Sequence, residues 1–283
     1  MSLANPVIAI FIASCVWWLS TGLVLLLVHW ANRRKLEPWQ LLPVITVVGI
    51  AGVLMLLEGS SRQTPFGSYL GFLGALLVWA WHETTFLTGI VTGRNKNACP
   101  PGAKGYTRFL AAWRAVCDHE IAILVTGVFL WLLLSDAPNT FGLATFGLLW
   151  GMRISAKLLI FLGARHAISG LIPPGIVHLK SYFNTGRTTP FFPLLLAIAV
   201  GLFAILVAGA MNAHSAYSIV GHILLAAFMA LAIIEHLILV LPVSDTVLWR
   251  WAVPKGAREP RSDSTTHEFA SAGVGAKRGL ETR

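Results

Sequence analysis

Histidines and acidic residues recur inside the long apolar stretches of this sequence. The first example is Trp79-Ala-Trp-His82-Glu83, which lies in an apolar run from about 67 to 92. A helix of about 25 residues is long enough to cross a ~30 Å hydrocarbon core. A carboxylate inside such a helix costs roughly 2.5 to 3.5 kcal/mol, so Glu83 is expected to face polar partners in a helical bundle. The polar residues of the other apolar runs are the candidate partners.

Those candidates come from three further apolar runs and carry both positive and negative charges. Arg153 and Lys157 are spaced i and i+4, so they share one helix face and need carboxylates opposite them. The simplest interpretation is an interhelical ion-pair network, which fixes the choice of neighbouring helices more than it adds net stability. The predicted intramembrane cluster consists of His82, Glu83, Asp118, His119, Glu120, Arg153, Lys157, Glu235 and His236.

A metal site is a second interpretation of the same cluster. The sequence contains no Glu-x-x-His pair of the kind that builds di-iron bundles. Glu235 and His236 are neighbours and point about 100° apart on a helix, so a shared metal would have to lie between helices. The candidate ligands suit iron or another divalent ion, and they are Glu83, His119, Glu120, Glu235 and His236.

The residues alone leave two further interpretations of these membrane histidines and carboxylates open. A neutral membrane histidine can give one ring nitrogen to the magnesium or iron of a tetrapyrrole, and the candidates are His29, His222 and His236. Ala232, one turn before His236, would leave room for a macrocycle. A proton or ion pathway through Glu83 and Glu235 is the other possibility.

The composition defines the class of protein that must position these residues. Of the 283 residues, 56% are hydrophobic and 12% are charged, and the mean hydropathy is +0.72. Soluble proteins carry roughly 25% charged residues. The apolar runs are continuous rather than alternating, which excludes transmembrane strands. The net charge of +9 comes from basic residues at the ends of these runs, so we expect a lipid bilayer and no nucleic acid as partner.

The sequence predicts an all-α, multi-pass membrane protein with seven transmembrane helices. Twenty of the 21 Lys and Arg residues lie in or beside alternate connectors and the C-terminal segment, and Arg62 is the exception. The positive-inside rule therefore places the N-terminus outside and the C-terminus inside. The predicted helices are at about 5–30, 40–57, 67–92, 116–134, 140–163, 190–211 and 217–241.

This topology has consequences for the polar cluster and for the ends of the chain. All nine cluster residues fall between the membrane midplane and its inner surface. Residues 1–253 are expected to form the membrane domain, and 254–283 a disordered cytoplasmic tail rich in Ser, Gly and mixed charge. The three cysteines show no paired spacing, so no disulfide framework is expected.

Two smaller features concern helix packing. Gly67, Gly71 and Gly74 on the third run, and Gly147-x-x-x-Gly151 on the fifth, offer faces where helices can approach closely. The segment 106–113, before the fourth run, is amphipathic and is expected to lie on the membrane surface.

Several motifs together resemble a known family, over about residues 5 to 245. The motifs are Trp150-Gly-Met-Arg153-Ile-Ser-Ala-Lys157-Leu-Leu-Ile-Phe-Leu-Gly163, Trp17-Trp18-Leu-Ser-Thr-Gly22, His82-Glu83, His119-Glu120 and Leu179-Lys-Ser-Tyr-Phe183. In these motifs the sequence is similar to the PuhE-type family, the photosynthetic complex assembly protein 2 family of purple phototrophic bacteria.

The resemblance implies an inner-membrane factor that supports assembly of the photosynthetic reaction centre and its core light-harvesting subunits. Handling of bacteriochlorophyll or its precursors would accompany that role. The alternative is an enzyme, either a metal-dependent membrane oxidoreductase or a tetrapyrrole-modifying protein that uses the Glu and His cluster.

Overall fold

Seven helices in the described part of the chain are long and apolar enough to cross a membrane, which confirms the predicted fold class. The computed structural model describes residues 3–167, 172–242 and 251–252. Its helices are α1 (Pro6–Arg33), α2 (Leu42–Ser61), α3 (Pro65–Leu87), α4 (Gly105–Leu134), α5 (Phe141–Leu162), α6 (Phe192–Asn212) and α7 (Ala216–Ile238). Two short 3-10 helices, Pro38–Leu41 and Pro174–Tyr182, lie in connectors. The orientation of the termini stays a prediction, and the predicted tail 254–283 lies outside the described residues.

Helix α3 is the centre of the bundle. In its most apolar stretch 61% of the residues are buried, against 6% for the peripheral α6. Pro65 begins the helix, and the Thr64 side chain accepts a hydrogen bond from the Gly67 N–H at 3.1 Å. Such an N-cap satisfies a backbone donor that the helix itself leaves open. Because α3 contacts α1, α2, α4, α5 and α7, its polar residues can meet side chains from several helices.

The glycines of α3 allow close packing against α2. A Cβ atom at Gly74 would lie 2.7 Å from the Gly52 carbonyl oxygen, and one at Gly52 would lie 2.8 Å from the Gly74 oxygen. The predicted close approach on α3 is therefore confirmed. A Cβ at Gly147 or Gly151 would meet no atom within 4 Å. The predicted glycine face of α5 is thus open in the described structure.

Helix α3 ends at Leu87, about five residues before the predicted end. Gly89 adopts a left-handed conformation with φ +83°, and its N–H donates to the Phe86 carbonyl at 2.9 Å. A glycine in this conformation is a common helix stop, because it closes the last turn without a Cβ penalty. The apolar run continues past Gly89, so hydropathy alone overestimates the helix.

Helix α4 begins at Gly105, about eleven residues before the predicted start. The amphipathic segment 106–113 was expected on the membrane surface, and it is instead the first part of α4. Thirty helical residues span about 45 Å, which exceeds a ~30 Å hydrocarbon core. The polar first turns of α4 can therefore extend beyond the apolar layer without a break in the helix.

Arg108 holds the first turns of α4 against the rest of the protein by hydrogen bonds. Its guanidinium donates to the Phe161 carbonyl at 3.1 Å and to the Tyr182 carbonyl at 2.7 Å. The same group lies 4.1 Å from the centre of the Phe161 ring, a cation–π contact. Arg108 thus joins α4 to the end of α5 and to the second 3-10 helix.

Candidate functional site

Helix α5 carries two cations, and each meets a carboxylate of a different helix. Arg153 Nη2 donates to Glu83 Oε2 on α3 at 2.8 Å. Lys157 Nζ donates to Glu120 Oε1 on α4. The i, i+4 spacing therefore serves two interhelical ion pairs. The two carboxylate side chains are the more buried partners, with 14% and 12% exposure against 37% for Arg153 and 24% for Lys157.

Between these two cations, Ser155 connects α5 to α7. The His236 ring is 1% exposed, and its Nδ1–H donates to the Ala232 carbonyl at 2.8 Å. In a neutral ring Nε2 is then an acceptor, and it receives the Ser155 hydroxyl at 2.9 Å. Three residues within five positions of α5 thus bind α3, α4 and α7.

His82 and His119 lie side by side in the interior. Their exposures are 1% and 0%, and their ring centres are 6.3 Å apart. His82 Nε2 is 3.1 Å from the Thr126 hydroxyl on α4. The His119 ring packs on Phe86 with centres 4.3 Å apart, and the Lys157 ammonium lies 4.9 Å from the centre of the same Phe86 ring. The two histidines and the Lys157 pair therefore form one neighbourhood.

Several buried polar atoms in this neighbourhood have no hydrogen-bond partner among the described residues. An unpaired buried polar group costs about 1 to 3 kcal/mol, so native proteins contain few of them. Here they are concentrated on three facing helices. They are His82 Nδ1, Glu83 Oε1, both ring nitrogens of His119, Trp150 Nε1 and Arg153 Nε.

Asp118 and Glu235, the other predicted members, lie at the margin of this neighbourhood. Asp118 Oδ1 is 3.5 Å from the Cys117 thiol, and Asp118 lines an open groove with Arg94 and Arg114 near the start of α4. Glu235 lies on the exposed side of α7, although the adjacent His236 is buried. Neighbouring helical residues point in different directions, which explains this separation.

A metal site needs several ligand side chains close together, and the described residues do not show such a group. Within residues 3–167 and 172–242, no three His, Cys, Asp or Glu side chains are grouped as metal ligands. Glu83 and Glu120 each accept a hydrogen bond from a cation instead. The metal site formed by Glu83, His119, Glu120, Glu235 and His236 therefore stays a prediction.

The three predicted pigment ligands differ in the state of their nitrogens. His236 uses both nitrogens in hydrogen bonds. His222 packs so closely on α6 that a Cβ at Gly209 would lie 2.6 Å from its Nε2. His29 Nδ1–H donates to the Leu25 carbonyl at 2.8 Å, and the ring is half-buried. Its Nε2 then carries the free lone pair that an axial ligand needs.

Sequence reasoning missed three residues of the site. Trp150, Ser155 and Thr126 are not charged, so a search for ionisable groups in apolar runs does not find them. Trp150 and Ser155 do lie within one turn of Arg153, on the same short stretch of α5. A search for every hydrogen-bonding side chain beside a membrane arginine would have identified both.

The fold and the site define a multi-pass helical membrane protein with a polar centre on α3, α4, α5 and α7. The residues of this polar centre are His82, Glu83, His119, Glu120, Trp150, Arg153, Ser155, Lys157 and His236. The chain belongs to the family DUF3623, whose description is "protein of unknown function". The family model matches residues 3–260. It is similar to an uncharacterized 30.4 kDa protein in the puhA 5' region of Rhodobacter capsulatus. The two are 32% identical over 255 residues, which cover 88% of this chain and 92% of that protein. No solved structure matches the chain.

Proposed function

We propose that this protein is an inner-membrane factor that supports assembly of the photosynthetic reaction centre with its core antenna. The observation that carries the proposal is the relative in the puhA 5' region, because the similarity covers nearly all of both chains. That gene context favours a role in photosynthesis. The transmembrane fold is consistent with work on membrane-embedded partners.

The open face of α5 supports contact with a partner helix. Gly147 and Gly151 leave space beside the backbone, and Ile154 and Leu158 continue the same face with 37% and 40% exposure. Small residues four apart allow two transmembrane helices to approach closely. Within the described residues no other helix fills this space, so a transmembrane helix of an assembling subunit could pack there.

Pigment handling is the finer part of the proposal, and His29 fits it best. Its Nδ1 is held by the Leu25 carbonyl, which fixes the ring tautomer and leaves Nε2 for the magnesium of bacteriochlorophyll. The exposed Trp30 follows it at the same end of α1. A bound bacteriochlorophyll would be held for transfer to a subunit, with no bond of the pigment changed.

A deletion and complementation experiment tests the role. The gene of the relative would be removed from Rhodobacter capsulatus, and this chain would be expressed in its place. Assembly of the core complex, relative to total bacteriochlorophyll in the membrane, would be measured by absorption. We expect the ratio to fall in the deletion strain and to recover with this chain.

The enzyme alternative predicts a different result in the same strains. A metal-dependent oxidoreductase or a tetrapyrrole-modifying enzyme would leave an accumulated pathway intermediate, which pigment extraction would detect. An unchanged ratio of core complex to pigment, or an accumulated intermediate, would contradict the assembly role. As a separate check, Gly147→Leu should leave the amount of protein unchanged and lower the recovery of core complex.

A further inference from the structure

Two of the unpaired groups of the polar centre can act only as hydrogen-bond donors. Trp150 Nε1 and Arg153 Nε are buried and have no partner among the described residues, and neither atom can act as an acceptor. The two residues are three apart on α5, so they lie on the same side of the helix. Two N–H groups are therefore presented together without an oxygen to receive them.

His119 adds a third donor from the facing helix. A neutral imidazole has one N–H and one bare nitrogen, and both nitrogens of His119 are unpaired although the side chain is fully buried. Arg153 and Lys157 lie within electrostatic range of this ring. The unpaired Glu83 Oε1 belongs to the carboxylate that Arg153 binds, and it supplies an acceptor beside that donor. The set can bind a molecule with oxygen acceptors and, at Glu83, a hydroxyl group.

The charges of the centre favour a neutral molecule. Glu83 and Glu120 balance Arg153 and Lys157 in two pairs, so no excess charge is left to attract an ion. In a low-dielectric interior an added net charge would be costly. A carbonyl oxygen accepts hydrogen bonds without bringing a charge, which makes it the acceptor that best suits these donors.

Aromatic side chains pack beside the two buried histidines of the polar centre. Phe146 and Trp79 pack near His82 with ring centres 6.3 Å from it, and Phe86 packs on His119. Planar rings pack well against such side chains. Arg153 is 37% exposed at the protein surface, so the polar centre is not sealed from the surroundings of α5.

We propose that the polar centre binds the carbonyl groups of a neutral, lipid-soluble ring compound, with Trp150, Arg153 and His119 as its hydrogen-bond donors. Two sources carry this chemistry in a photosynthetic membrane, namely a quinone and the keto or ester carbonyls of a tetrapyrrole. The site rests on these side chains alone. The site goes beyond the proposed function, and only the choice of a quinone and a tetrapyrrole as sources rests on that function.

Binding to the purified full-length protein tests the proposal with two probes. A short-tailed ubiquinone analogue and bacteriochlorophyll a would be titrated separately in mild detergent, and affinity would be measured by thermophoresis. Trp150→Phe removes one donor and keeps a ring, and Arg153→Lys keeps the cation and removes the Nε–H. Loss of one buried hydrogen bond should weaken binding about fivefold or more.

The control variant is Trp131→Phe, which alters an indole that is 58% exposed near the end of α4. It should bind as the unmodified protein does. We expect both site variants to weaken binding of the probe that binds. If only the ubiquinone analogue or only bacteriochlorophyll binds in this way, that result identifies the source of the carbonyl. Absence of binding by both probes, or equal affinity in the unmodified protein and both site variants, would overturn the proposal. Failure of complementation in cells would not affect this result, since the binding experiment uses purified protein.

Discussion

The two halves of α3 are built in opposite ways. The first half packs glycine against glycine, with the backbones of α2 and α3 in near contact at Gly52 and Gly74. The second half carries His82 and Glu83 among polar atoms that have no partner in the described structure. Close packing in the first half stabilises the bundle, whereas the unpaired polar atoms in and around the second half cost free energy. From this difference we infer that the glycine layer of α3 serves packing alone, whereas the polar layer combines stabilising ion pairs with the groups that we propose to be functional.

The largest expected effect comes from placing a large side chain between Gly52 of α2 and Gly74 of α3. Gly74→Leu places a side chain where the Gly52 oxygen would lie 2.7 Å from its Cβ, so the helices must separate. Overpacking commonly costs about 1 to 3 kcal/mol, and a clash with backbone costs more. We expect most of the folded protein to be lost in fluorescence-detected size-exclusion chromatography. Gly147→Leu is the matched control and should be recovered normally, because a Cβ there meets nothing within 4 Å.

Removing the negative charge of Glu83, in the second half of α3, should destabilise the protein less than Gly74→Leu does. Glu83→Gln leaves Arg153 without its carboxylate partner. Breaking a fully buried pair costs about 3 to 5 kcal/mol, and the 37% exposure of Arg153 reduces this to about 1 to 3 kcal/mol. The apparent melting temperature in detergent should fall. Glu58→Gln breaks the exposed pair with Arg62 on α2 and should change the melting temperature little, so equal effects of the two variants would contradict the account.

The Ser155 contact to His236 is expected to contribute less. Ser155→Ala removes a hydrogen bond of 2.9 Å between α5 and α7, and such bonds between membrane helices average about 0.6 kcal/mol. The melting temperature should drop slightly. Ser14→Ala, in which the lost bond joins Ser14 to Ile10 within one helix, should show no drop. A reversed order of the two variants would show that the α5 to α7 contact is not stabilising.

The smallest expected effect is a pH dependence outside the membrane spans. Burial lowers the pKa of His178 below its ordinary value of 6.5, and the nearby Lys96 lowers it further. The folded state disfavours the protonated ring, so the contribution of His178 to the free energy of unfolding is fully present above pH 6.5. This contribution is lost as the pH falls toward the lowered pKa. The unmodified protein should therefore lose more thermal stability between pH 7.5 and 5 than His178→Gln does. Identical losses in both proteins would refute this assignment.

Much of the fold could be predicted from the sequence, because seven continuous apolar runs leave few alternatives in a membrane. The ends of helices were less predictable, since Gly89 stops α3 inside an apolar run. The α4 extension was missed because an amphipathic segment is compatible both with the membrane surface and with a helix held by Arg108. Hydropathy does not distinguish these two possibilities.

The candidate site could be predicted only in part. That Arg153 and Lys157 meet carboxylates follows from the cost of a lone charge in a membrane. Which acidic residue each one meets is shown only by the structure. The outward position of Glu235 depends on how α7 is rotated in the bundle, which its sequence does not determine. The unpaired state of His119 and Trp150 is a property of packing alone, and only the structure shows it.

One measurement tests most directly whether the polar half of α3 and its neighbours serve the proposed function. His119→Leu replaces a fully buried side chain whose nitrogens have no partner in the described structure, so the variant should accumulate at or above the level of the unmodified protein. In the Rhodobacter capsulatus strain that lacks the relative, we predict that this variant fails to restore the ratio of core complex to bacteriochlorophyll. Full recovery by His119→Leu at normal protein level would contradict it.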